Sequence, residues 1–212
     1  MRSYGDPCGI ARALDRVGER WALLIVRELL LGPKRFTDLR SGLPNLGADV
    51  LSQRLRDLEH AGVLRRGKLP PPAGSRVYEL TDRGRELEPV VLALGRWGSS
   101  APFPKTDAQL SPDALAIALK TVFDPATADG LRGVFELRLG DRMFRASISD
   151  TGLDIAQGVA PEADATIDGT PGPLAAVLWH GQPLTDSGVT IRGDRAAAER
   201  FLALFRGPAS TT

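Results

Sequence analysis

Among 212 residues the sequence has one cysteine, Cys8, and two histidines, His60 and His180. A lone thiol excludes a disulfide framework within one chain. Residues 8, 60 and 180 give no metal-ligand spacing, and His180, behind Trp179 at a helix end, fits a dipole partner or a surface residue better than a ligand. No apolar run approaches the roughly 18 residues of a membrane span; the most apolar stretch, 21–31, is interrupted by Arg27 and Glu28. The opening MRSYGDPCGI lacks a basic segment followed by an apolar one, so no secretory signal is expected and the chain reads as cytoplasmic, with no membrane partner. There is no G-x-S-x-G and no Ser/His/Asp pattern, and Gly152, Gly158 and Gly169 do not make a phosphate loop. No catalytic residue, metal or cofactor is expected, and the chain is not read as an enzyme. No internal repeat is visible.

What is present is a folded composition, 42% hydrophobic and 25% charged. The net charge of +1 conceals a division: residues 1–100 carry 17 basic and 12 acidic residues, and residues 101–212 carry 10 and 14. Between Lys34 and Arg76 nine cations face four carboxylates. Such a concentration fits a polyanionic partner, whose counterions are released on binding; the alternative is an ordinary solvated face.

The Ser- and Pro-containing stretch around residues 98–107 reads as a boundary. The expected organisation is a first domain over 1–100, a linker over 101–109, a second domain over 110–206 and a tail over 207–212. In the first half, residues 8–17 predict a helix with Ile10, Ala13, Leu14 and Val17 inward. Residues 19–31 predict a buried helix ended by Gly32-Pro33. Thr37 is expected to cap a short helix over 38–41, and residues 42–47 to form a turn. A helix follows over 48–60. The period then changes: 63–68 and 76–80 read as strands joined by a tip over 70–75. Thr81 is expected to cap one helix from 82 to 97.

On a wheel of about 100° per residue, Leu51, Leu55 and Leu58 share one face of the 48–60 helix. Asp49, Ser52, Gln53, Arg56 and His60 take the opposite face, with Arg54 on the flank. B-DNA's major groove admits one α-helix. Gln53 and Arg56 are therefore candidates for base contact, and Ser52 and Arg54 for phosphate or base; the competing reading is surface ion pairing. In the hairpin, Arg66, Lys68 and Arg76 are candidates for phosphate, against the alternative that they only keep an edge strand soluble. Lys34 and Arg35 precede the helix start near Thr37, where a phosphate could also sit.

Helices, a two-stranded hairpin and a last helix in this order make a winged helix, and residues 8–98 resemble the HxlR-type winged helix-turn-helix regulators of the MarR-like group. The resemblance is carried by Cys8, Ala13-Leu14-Asp15-Arg16-Val17-Gly18-Glu19-Arg20-Trp21, Gly32-Pro33-Lys34-Arg35-Phe36-Thr37-Asp38-Leu39, Leu51-Ser52-Gln53-Arg54-Leu55-Arg56-Asp57-Leu58 and Tyr78-Glu79-Leu80-Thr81-Asp82-Arg83-Gly84. It implies a homodimeric transcriptional regulator that binds a palindromic double-stranded DNA operator. The first and last helices of the domain, here about 10–17 and 84–97, would pack across the two-fold axis. Some family members sense quinones, aldehydes or oxidants through a cysteine at the position of Cys8, which needs a thiolate held by positive charge; Arg2 and Arg12 are near in sequence. Many members have Pro after this cysteine, whereas here Pro7 precedes it and Gly9 follows. An inert cysteine at a helix start is the alternative.

The second half reads as mixed α/β. Ser111-Pro112 opens a helix bearing Leu115, Leu119, Val122 and Phe123. Phe135, Leu137 and Leu139 alternate, as do Phe144, Ala146 and Ile148, about a turn at Gly140-Asp141. Leu153 and Ile155, then Ala165 and Ile167, indicate more strands. Thr170-Pro171 opens a helix with Leu174, Val177, Leu178 and Trp179. Val189 to Ile191 form a last strand, and Asp194 caps a terminal helix. This half resembles the sterol carrier protein 2 (SCP2-like) fold through Ala163-Asp164-Ala165-Thr166-Ile167-Asp168-Gly169-Thr170, Leu174-Ala175-Ala176-Val177-Leu178 and Val189-Thr190-Ile191-Arg192-Gly193-Asp194. The resemblance implies a five-stranded sheet and an apolar cavity for a lipid or other hydrophobic effector, lined by Phe123, Phe135, Leu137, Phe144, Ile148, Leu153, Val177, Leu178 and Trp179. A filled core is the alternative. The fold class is α+β, and the expected function is effector-modulated regulation, against a lipid-binding protein that uses its winged helix only to dimerise, or a thiol sensor at Cys8.

Overall fold

The computed structural model describes residues 3–70, 74–100 and 110–206. The expected linker over 101–109, the tail over 207–212, Arg2 and residues 71–73 of the hairpin tip lie outside these residues. The chain divides into two compact units, Met1–Leu94 and Gly95–Thr212.

The first unit contains α1 (Gly9–Val17), α2 (Ala22–Leu29), α3 (Phe36–Gly42), α4 (Ala48–His60), the hairpin β1 (Leu64–Lys68) and β2 (Arg76–Leu80), α5 (Asp82–Arg85) and the start of α6 (Glu88–Ser99). Its core joins Ile25, Val26 and Leu29 of α2 to Leu39 of α3 and to Leu51, Leu55 and Leu58 of α4, with Val63, Leu64 and Leu80 beneath the hairpin. The turn between α3 and α4 adds buried Leu43 and Leu46, so it is a packed corner.

Three boundaries differ from expectation, each for a local reason. The buried helix starts at Ala22, because Trp21 is left-handed at φ 79° while its side chain packs on the core; a bulky side chain rarely adopts that region. Thr37 lies inside α3, whose N-cap is Arg35; the Arg35 N–H donates to Asp38 Oδ2 at 2.9 Å. The expected last helix is two, α5 and α6. Pro89 has no N–H for the Arg85 carbonyl and its ring would clash there, so helix cannot run through. Thr81 does cap α5, its Oγ1 accepting from the Gly84 N–H at 3.1 Å. Gly84 is required by close approach: a Cβ there would stand 2.0 Å from the Val63 carbonyl oxygen.

The orientation of α1 overturns the inward reading of its stripe. Only Val17 is buried; Leu14 and Ala13 are exposed, and Ile10 is 73% exposed. On α6, Val91 packs on the core while Val90, Leu94 and Trp97 are exposed, Trp97 by 76%. Positions 90, 94 and 97 fall on one side of a helix.

The second unit holds α7 (Pro112–Val122), β3 (Gly133–Leu139), β4 (Arg142–Ser149), β5 (Gly152–Gln157), β6 (Ala165–Gly169), α8 (Pro171–Trp179), β7 (Thr190–Gly193) and α9 (Arg195–Ala203). Ser111 and Asp194 cap α7 and α9 by accepting from Ala114 and Ala197 N–H groups, both at 3.0 Å. The five strands run β5-β4-β3-β6-β7, antiparallel except for the parallel pair β3 and β6. The β3–β4 hairpin turns on Gly140 at φ 65°, as a two-residue turn with glycine first requires. Alternation sends Phe135, Leu137, Leu139, Phe144, Ala146, Ile148, Ile155, Ala165 and Ile167 to the apolar face, all buried. The opposite face carries cross-strand pairs such as Arg192–Asp168. The segment after β5 is tied to that face, with the Ala160 N–H donating to Glu136 Oε2 at 2.7 Å and Arg145 pairing with Glu162 at 2.6 Å.

Candidate nucleic-acid interface

Helix α4 is held by its three leucines, each at most 1% exposed. That anchoring fixes what the other side offers. Asp49, Val50, Gln53, Arg56 and His60 are exposed, and Ser52 is half-buried on the flank. The exposed polar side chains are organised among themselves. Arg56 donates to Gln53 Oε1 at 2.7 Å, and Gln53 Nε2 donates to Asp57 Oδ1 at 2.8 Å. The Gln53 amide is thus oriented before any partner arrives, yet one N–H and one carbonyl lone pair stay uncommitted.

Two expected contacts are corrected. Arg54 is turned inward: its side chain is 18% exposed and its guanidinium meets Asp57 at 2.9 Å and Glu19 at 3.4 Å. It joins α4 to the turn before α2 and does not extend from the outer face. Lys34 is 4% exposed, with its ammonium 2.6 Å from the fully buried Glu28, which also accepts from Arg27 at 2.9 Å. Its backbone exchanges two hydrogen bonds with Tyr78, at 3.0 and 2.8 Å. Lys34 therefore links α2 to the hairpin from within and presents no charge to a phosphate. Arg35 and Thr37 are exposed as expected, but the Asp38 carboxylate already sits at the start of α3 and disfavours a second anion there.

In the hairpin, the register puts Leu64, Arg66 and Lys68 opposite Leu80, Tyr78 and Arg76. Arg65 pairs with Glu79 at 2.9 Å and Arg66 with Glu59 of α4 at 3.0 Å. Lys68 and Arg76 are exposed, lie directly across from each other, and meet no carboxylate among the described residues. Like charges directly opposed across strands are destabilising; an anion placed between or beside them removes the penalty.

Cys8 is an exposed thiol at the N-cap of α1, its N–H donating to Asp6 Oδ1 at 2.8 Å. The residues expected to line an apolar cavity are buried or half-buried in the second unit. Phe135, Leu137 and Phe144 are fully buried, Ile148, Val177 and Leu178 nearly so, and Phe123, Leu153 and Trp179 are half-buried. Phe201 stacks on Phe135 at 4.4 Å between centroids and contacts Phe205 at 5.0 Å; Phe205 lies 6.3 Å from Phe123. Phe201 and Phe205 of the last helix and its end were not expected at the candidate pocket. Buried Asp113, 3.1 Å from Arg142, and buried Glu136 were also missed, because isolated carboxylates in a sequence do not announce their partners.

A leucine-anchored helix with a polar outer face, preceded by a short helix and turn and followed by a cationic hairpin, defines a winged helix-turn-helix DNA-binding domain. The chain belongs to the HxlR-like helix-turn-helix family, whose model matches residues 16–105. The uncharacterized HTH-type transcriptional regulator YvaP of Bacillus subtilis is 40% identical over 88 residues, which span 42% of this chain and 82% of that protein. The HTH-type transcriptional regulator YodB of the same organism is 33% identical over 85 residues, spanning 40% of this chain and 76% of its own. Among solved structures, the redox regulator HypR in its oxidized form is similar over 46% of this chain and 100% of that one, with 32% identity and a TM-score of 0.42. The chain is a transcriptional regulator with a helix-turn-helix DNA-binding domain. Among the described residues, no helix is long and apolar enough to cross a membrane.

Proposed function

We propose that this regulator acts as a homodimer on a palindromic operator, with Gln53 and Arg56 of α4 at base edges and Lys68 and Arg76, aided by Arg66 and Ser52, on the phosphate backbone. The observation that carries the reading is the division of α4 into a leucine face sealed in the core and an outer face whose amide and guanidinium are pre-oriented. Dimerisation is supported by the uncovered stripes: Ile10 and Leu14 on α1, and Val90, Leu94 and Trp97 on α6. Exposed apolar residues at helical spacing on two elements are the kind of surface a second copy would cover. A two-fold dimer then presents two α4 helices to half-sites roughly one DNA turn apart.

The second unit is proposed as an SCP2-like effector module for a hydrophobic molecule. Its support is the apolar sheet face roofed by helices, and the occupant would replace Phe201 on Phe135. Coupling requires the effector to favour one spacing of the two α4 helices. Native mass spectrometry of the purified chain tests this part: a bound lipid-sized mass supports it, and an empty protein after exposure to a lipid extract removes it. The operator reading is tested by selection of bound duplexes from a random pool. A palindromic consensus supports it, whereas binding indifferent to sequence contradicts it.

A further inference from the structure

Val50 is 45% exposed and stands on α4 one turn before Gln53. It is a large apolar side chain at the edge of the outer face, beside Gln53 and Asp57 and one turn before Arg54. The core does not use it, since that role belongs to Leu51, Leu55 and Leu58. An isopropyl group left in water at the amino-terminal end of a groove-entering helix gains only by meeting an apolar surface there. The major groove offers one such surface, the C5-methyl of thymine. Beside it, Gln53 has a fixed amide. Oε1 accepts from Arg56 and Nε2 donates to Asp57, and each atom has capacity for one further hydrogen bond. Glutamine reads adenine by donating to N7 and accepting from N6. Residues three apart on a helix are neighbours, separated by roughly 4.5 Å along the axis, close to one base-pair step.

We infer that α4 reads A·T pairs: Val50 contacts a thymine methyl group, and Gln53 contacts adenine in the same or the adjacent pair of each half-site. This rests on the operator reading above and names what that operator must contain. The test uses the full chain. Duplexes are selected from a random pool, and the selected duplex is then resynthesised with deoxyuridine replacing thymidine at one position at a time, which removes only the methyl. At one position in each half-site the wild-type protein should lose roughly fourfold in affinity by anisotropy, the worth of one buried methyl-sized group. Val50→Ala, which favours helix and leaves the core untouched, should bind the thymidine duplex more weakly by a similar factor and be indifferent to deoxyuridine. Three outcomes overturn the inference: a selected site without a fixed A·T pair, a wild-type protein blind to deoxyuridine at every position, or a Val50→Ala variant that retains the wild-type methyl sensitivity. If no sequence is selected at all, the operator reading fails, and this inference with it.

Discussion

Replacing Lys34 by methionine separates a structural cation from a DNA-contacting one. The substitution keeps the length of the stem and removes the ammonium that sits 2.6 Å from Glu28, a carboxylate with 0% exposure. Breaking a buried pair by removing one partner costs about 3–5 kcal/mol, because the other charge remains desolvated. Here Glu28 keeps Arg27 at 2.9 Å, so the loss should fall at the lower end, about 3 kcal/mol. Hydrogen exchange at the amides of Ile25 and Val26, buried in the same unit, reads this loss whether or not the second unit unfolds with the first. The double variant Glu28→Leu/Lys34→Met should recover part of it, giving a coupling energy of about 2 kcal/mol. Meanwhile the slope of log affinity against log salt should not change in Lys34→Met, since no phosphate contact is lost. A stability loss below about 1 kcal/mol would contradict the buried pair, and a slope shallower by about 0.9 would show that Lys34 meets a phosphate.

Four further results are expected. Lys68→Ala and Arg76→Ala should each reduce the salt slope by about 1 and weaken all DNA sequences alike; a change confined to one base position would contradict their phosphate role. Leu94→Glu should convert the dimer to monomer in sedimentation while leaving the far-ultraviolet spectrum intact; a monomeric wild type, or an unaffected dimer, would remove the proposed interface. Gly84→Ala should destabilise the first unit by about 1–3 kcal/mol in thermal unfolding, since a Cβ 2.0 Å from the Val63 carbonyl oxygen forces the backbone to move; a neutral effect would contradict the close approach. The Ala160 N–H holds the Glu136 carboxyl below the ordinary glutamate range, helped by Arg138 and opposed by burial. A lowered native pKa contributes stability above the unfolded pKa and loses it as pH falls through the native one. Glu136→Gln should therefore be less stable than wild type at neutral pH, with the gap closing as pH falls below the ordinary glutamate range; a gap independent of pH would refute this.

Much of the first unit could be read from residue order because its signals are local. The leucine triplet of α4, the Gly32-Pro33 stop, the strands around the hairpin and the Thr81 cap each depend on neighbours within a few positions. What escaped reading depends on partners far along the chain or outside it. Periodicity shows that Ile10 and Leu14 form a stripe, but it does not show whether the stripe faces this chain's core or another surface. Arg54 and Arg56 are the same residue type; Asp57 and the distant Glu19 together hold the first inward. Lys34 belongs to a run of cations, and Glu28, six residues earlier on another element, removes it from that run. Pro89 is a local signal that divides the last helix into α5 and α6. In the second unit the strand order of the hairpin followed from alternation, whereas the filling of the apolar face by Phe201 required the sheet and the last helix together.

The central claim is that the outer face of α4 selects DNA sequence. Its most direct measurement is a salt titration of full-length protein on the selected duplex and on a scrambled one, for wild type and Arg56→Ala. The account predicts strong, salt-sensitive preference of wild type for the selected duplex, with Arg56→Ala losing about 1–3 kcal/mol on that duplex and little on the scrambled one. Equal losses on both duplexes, or no loss on either, would contradict it.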